Sequence, residues 1–217
     1  MAIKPILFNT EMVRANLDGR KSCTRRIVKG FIPNDAVWGY TAFTPKGYIS
    51  CRGTFADGYG EKFFKLPCEP SDILYVRETW CLAERDTSWS AGFIQRGEQY
   101  LYKADDIGLA NIDRWHPSIH MPKEAARIWL KVTDVRVERL QECGKDWCWD
   151  IVKEGIVTPK DPIFYINDKE FHEALRYEFK KLWNSTIKKT DLDSYGWDAN
   201  PYVWVIEFER CEKPETL

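Results

Sequence analysis

Gly19-Arg20-Lys21-Ser22-Cys23-Thr24-Arg25-Arg26 is the stretch on which the reading of this chain turns. Upstream, Asn9 or Thr10 can cap a helix whose apolar positions are Met12, Val13 and Leu17. Gly19 then fits the C′ position, where a positive φ ends a helix and glycine adopts it without a Cβ clash. Thr24 to Val28 reads as extended chain leaving that turn. Lys21 and Thr24 lie three apart across the turn, so an amine and a hydroxyl can meet at one spot. An amine crowded by other cations and partly desolvated can act as a base, and a hydroxyl beside it as a nucleophile. The plain alternative is a solvated basic turn.

Further out, Ile6-Leu7-Phe8 forms a short strand before the helix. Residues 30–70 hold Gly39, Gly47, Gly53, Gly58 and Gly60 among aromatics, the pattern of hairpins and irregular loops. Ile73 to Arg77 is a strand, and Ile128 to Val137 another, with apolar and polar residues alternating. Cys148 to Lys153 is a short helix ending at Glu154-Gly155. Asn167 and Glu170 have capping-box spacing and open a helix with Phe171, Ala174, Leu175, Phe179, Leu182 and Trp183 on one face. Tyr202 to Phe208 closes the chain as a strand, with Pro201 just before it, where a missing N–H does no harm. Strand, helix, many strands, helix, strand predicts an α+β fold with a mostly antiparallel sheet or barrel, without βαβ alternation.

Composition bounds the partners. Ten Trp, ten Tyr and eleven Phe in 217 residues require a packed globule. The net charge of −1 argues against a general nucleic-acid coat, which needs excess Lys and Arg along the phosphates. Residues 1–30 nevertheless carry seven cations against two anions, a local +5 that leaves −6 elsewhere. Such a patch suits one anionic or nucleotide ligand. Seven cysteines without a C-x-x-C, no signal peptide and no apolar run near 18 residues predict a reduced, cytoplasmic setting and no membrane partner. A zinc site through Cys143, Cys148, His116 and His120 is the sharper alternative; prolines beside both histidines disfavour it, so no metal and no cofactor are expected.

The Gly19–Arg26 stretch resembles the ASCH signature G-x-K-x-x-E-x-R, matched by Gly19, Lys21 and Arg26, with Thr24 at the usual glutamate. Small bacterial ASCH proteins that hydrolyse N4-acetylcytidine also carry threonine there. Other segments resemble longer, prophage-type ASCH proteins: Leu74 to Trp80, Pro117 to Pro122 and Trp197 to Pro201 among them. The resemblance implies one PUA-like β-barrel with flanking helices over residues 1–217, with insertions at about 30–70 and 81–115. By position it implies a catalytic set of Lys21, Thr24 and Glu154. Substrate-binding candidates around it are Arg25 and Arg26 for phosphates, Glu78 at the end of its strand, and Trp197 with Asn200, the indole serving as a stacking platform. For Glu78 the bland reading is a surface pair with Arg77; for Trp197 it is core. The implied function is hydrolysis of the acyl amide of N4-acetylcytidine or a related modified nucleoside. The alternative is a non-catalytic module binding RNA or a modified base, and a ribonuclease ranks below both. The expected partner is thus a nucleoside or RNA ligand.

Overall fold

The structure, a computed structural model, describes residues 1–86, 96–105, 114–142, 151–156 and 169–215. Its main sheet has five strands in the order β1 (Ile3–Leu7), β6 (Ile73–Arg77), β9 (Trp129–Arg139), β10 (Tyr202–Cys211) and β2 (Cys23–Ile27). Only β1 and β6 run parallel; the other three pairings are antiparallel. A second sheet, β3 (Val37–Gly39), β4 (Tyr48–Phe55) and β5 (Gly58–Lys65), is an antiparallel meander built from the glycine-rich 30–70 region. Strands β7 (Trp80–Asp86) and β8 (Arg96–Tyr102) form a separate hairpin. Helices α1 (Thr10–Leu17), α2 (Lys169–Thr186) and α3 (Leu192–Tyr195) complete the α+β architecture among the described residues.

Strand parity explains where the two largest cores lie. Along β10, Val203 and Val205 point to one side and Trp204, Ile206 and Phe208 to the other, as a period of two demands. The first side packs with Leu175, Phe179 and Trp183 of α2; the second packs with Phe8, Val13 and the strands β6 and β9. Glu207/Phe208 carries a register shift against β9, and β10 runs on to Cys211, beyond the expected end at Phe208. The appended meander is pinned by Trp38, whose indole meets Phe64, Tyr202 and Trp204 edge-on at 5.1, 5.5 and 6.4 Å.

The five-stranded ladder does not close: β1 and β2 are its edges. Arg26 spans between them, its Nη2 donating to the Leu7 carbonyl at 2.9 Å. Among the described residues no helix is long and apolar enough to cross a membrane. Asn167 of the expected capping box and residues 143–150, which hold Cys143, Cys148 and the start of the short helix, lie outside the described residues; Ile151 and Val152 are helical.

Candidate functional site

The turn after α1 is built by glycine at two places. Asn9 caps α1 by accepting from the Met12 N–H at 2.8 Å, and the helix stops at Gly19, φ 73°. Arg20 and Lys21 then both donate their backbone N–H to the Ala15 carbonyl, at 2.8 and 3.1 Å. The second glycine, Gly155 at φ 85°, lets another backbone press on this turn: a Cβ there would lie 2.5 Å from Ala15 Cβ. Ser22 and Cys23 donate to the Lys153 carbonyl at 2.9 and 3.1 Å, and Lys21 and Glu154 form an isolated β-bridge. The residue 151–156 segment is thereby stitched along residues 21–23.

That stitching brings a buried ionic triad together. Lys21 Nζ donates to Glu154 Oε2 at 3.0 Å, to the Glu154 carbonyl at 2.8 Å and to the Cys23 carbonyl at 2.8 Å. All three ammonium hydrogens are therefore engaged. Arg25 Nη1 donates to the other carboxylate oxygen, Glu154 Oε1, at 3.0 Å. The side chains of Lys21, Arg25 and Glu154 are 0, 1 and 4% exposed. Burial pushes the Glu154 carboxyl up, but the charges and hydrogen bonds of Lys21 and Arg25 outweigh it and hold the group below its ordinary value. Arg25 lies against the Phe179 ring, 5.8 Å from its centroid, and Lys21 Nζ is 5.2 Å from the centroid of Phe8.

Thr24, 1% exposed, faces a cavity of about 20 Å³. Its polar lining residues are Thr24, Arg25, Arg26, Glu154 and Thr186; Met12 of α1 and Phe179, Leu182 and Trp183 of α2 are the apolar ones. The cavity takes one water molecule and no nucleobase. Lys21 is not among its lining residues; it stands behind Glu154.

The remaining candidates lie elsewhere. Glu78 is buried and pairs with Arg127, not with Arg77: Arg127 Nε and Nη2 each donate to one of its oxygens at 2.9 Å. Arg127 also meets Asp105 and covers the Tyr102 ring at 3.9 Å. Desolvation outweighs the Arg127 pairing and raises the Glu78 carboxyl. Trp197 is packed into the core against Phe179, ring centroids 5.6 Å apart, and presents no open stacking face. Asn200 takes the left-handed conformation at φ 46° and accepts from the Gln141 N–H at 2.8 Å, which makes it a turn residue. His116 stacks on Trp80 at 5.0 Å. Burial pushes the thiols of Cys51 and Cys68 up to about 11.

Two features of the site escape the sequence reading. Arg25, expected on phosphates, is the second partner of Glu154. Parity could have shown that Arg25 shares the α2 side with Cys23 and Ile27, because it pairs across β10 with Val205. The apolar wall from α2 had no local signal pointing to the turn. No family model matches the chain, and neither a curated protein nor a solved structure matches it.

Proposed function

We propose that this chain is a PUA-like protein of the ASCH type that hydrolyses the acyl amide of N4-acetylcytidine or a related modified nucleoside at the Lys21/Thr24/Glu154 site, as a cytoplasmic enzyme. The observation that carries the reading is the approach of Glu154 Oε2 to Lys21 Nζ, 3.0 Å across a sequence separation of 133, at a cavity shared by Glu154 and Thr24. Amide hydrolysis needs a proton shuttle, a nucleophile and positive charge near the developing oxyanion. Glu154 supplies the first, Thr24 or water the second, and Arg26 the third. The cavity has room for one water, so the acylated base docks outside it.

Incubating the protein with N4-acetylcytidine and following the ultraviolet shift to cytidine tests the proposal. Turnover that falls by about 100-fold or more in Glu154→Gln supports it, the range expected for loss of an acid–base group. Equal turnover in that variant, or none in the wild type, overturns it. The second reading, a module that binds a modified base or RNA without chemistry, is favoured by one observation: every Lys21 donor already has an acceptor within the protein. It predicts RNA affinity that weakens with salt and no release of acetate.

A further inference from the structure

Resting on the hydrolase reading, we propose that the bond is cut by direct attack of a water seated between Thr24 and Glu154, with Glu154 as the acid–base group, Lys21 as a permanent cation and Arg25 as a positioning residue. The usual division of labour for a lysine–threonine pair has the amine take the hydroxyl proton. The contacts of Lys21 oppose that. An ammonium donating to a carboxylate and two carbonyls has no lone pair to offer, and losing one proton would leave two buried carbonyls and a carboxylate competing for the remaining donors. Lys21 is also absent from the cavity wall, whereas Thr24 and Glu154 both belong to it. The cavity, about 20 Å³, has the volume one water requires and polar partners to hold it.

Arg25 completes the arrangement. Its bond to Oε1 and the Lys21 bond to Oε2 clamp the carboxylate from two sides, and Phe179 backs the guanidinium. Oxygen lone pairs left over from these bonds are available to a water in the cavity, since each carboxylate oxygen accepts more than one hydrogen bond. The charged groups around Glu154 are Lys21, Arg25 and, on the cavity wall, Arg26, all cationic. They keep it ionised, so it meets the water as a carboxylate, and the same charges make it a weaker base than a free glutamate.

In the attack, the water oxygen bonds to the acyl carbon while one water proton passes to Glu154. Arg26, on the cavity wall, is the cation offered to the developing oxyanion, while Arg25 stays on Glu154. The tetrahedral carbon re-forms its carbonyl and expels the exocyclic nitrogen, which takes the proton back from Glu154. Cytidine and acetic acid leave, and the carboxylate is restored.

Three measurements separate this route from an acyl-threonine route. Lys21→Arg keeps the positive charge but cannot act as a base; turnover within about tenfold of wild type is expected, against a loss of about 100-fold or more if Lys21 is the base. Thr24→Ala retains measurable turnover if the hydroxyl only holds a water, and none above background if it is the nucleophile. Because arginine is larger than the buried lysine it replaces, a third readout uses the wild type alone: peptide mass analysis of the acid-quenched reaction with N4-acetylcytidine. Thr24 without an added acetyl group agrees with direct attack. An acetylated Thr24, or a folded Lys21→Arg protein without activity, overturns the water route and leaves the hydrolase reading intact. Absence of turnover on any N4-acylated cytidine overturns both.

Discussion

Glu154 is the residue on which the site balances. Two cations that are almost entirely buried, Lys21 and Arg25, have it as their shared counter-ion. Removing one partner of a buried pair leaves charge in a low dielectric and costs about 3–5 kcal/mol, more than the pair contributes against an apolar replacement. Glu154→Gln should therefore lower unfolding stability by about that amount in urea titration, alongside its effect on turnover; an unchanged midpoint would contradict the triad. The pH dependence follows from the depressed carboxyl. A group whose folded pKa lies below its unfolded value contributes stability above the unfolded value, and that stability is lost as pH falls through the folded one. The acid loss should thus begin as pH falls into the ordinary glutamate range, reach completion below it, and shrink in the glutamine variant. Glu78, raised by burial, has the opposite sign: its ionised form is disfavoured by folding, so its contribution declines as pH rises.

At the level of elements, the site depends on two backbone segments pressed together without side chains between them. Gly155 allows that contact. An alanine there would put its Cβ 2.5 Å from Ala15 Cβ and 3.0 Å from Lys21 Cβ, at a φ of 85° that side chains resist. Left-handed strain of about 1–2 kcal/mol and overpacking of about 1–3 kcal/mol act in the same direction. Gly155→Ala should therefore lower the melting temperature and weaken catalysis together, by pushing Glu154 away from Lys21. A variant with full activity and a normal melting point would show that the α1 turn and the residue 151–156 segment tolerate separation. By contrast, a Cβ added at the equally left-handed Gly19 would have nothing within 4 Å, so alanine there meets strain alone.

For the molecule as a whole, Trp38 ties the appended meander to the main sheet. Its indole is wedged against Phe64, Tyr202 and Trp204, and its Nε1–H has no hydrogen-bond partner among the described residues. Trp38→Ala should cost about 3–5 kcal/mol, as other large aromatic truncations do. Trp38→Phe should cost clearly less, because no hydrogen bond is lost with the indole nitrogen. Denaturation followed by circular dichroism checks both; equal effects from the two substitutions would remove Trp38 as the tie. The meander adjoins the site strand through this contact, since Trp204 pairs with Arg26 across β10 and β2.

Short-range physics was open to reading before any coordinates. A glycine, which accepts positive φ without a Cβ clash, marked the end of α1, alternation marked β9 and β10, and glycines among aromatics marked the meander. These signals live within a few residues of one another, so local sterics and period decide them. The Lys21–Glu154 meeting was legible only through the resemblance, and the structure brings the pair together. Tertiary packing alone decided that Arg25 turns to Glu154 instead of to solvent, that Trp197 is sealed against Phe179, and that Glu78 meets Arg127. Each of these depends on which distant segment arrives at a given face and excludes water from it. Hydrophobic burial chooses that partner, being non-directional and summed over the entire chain.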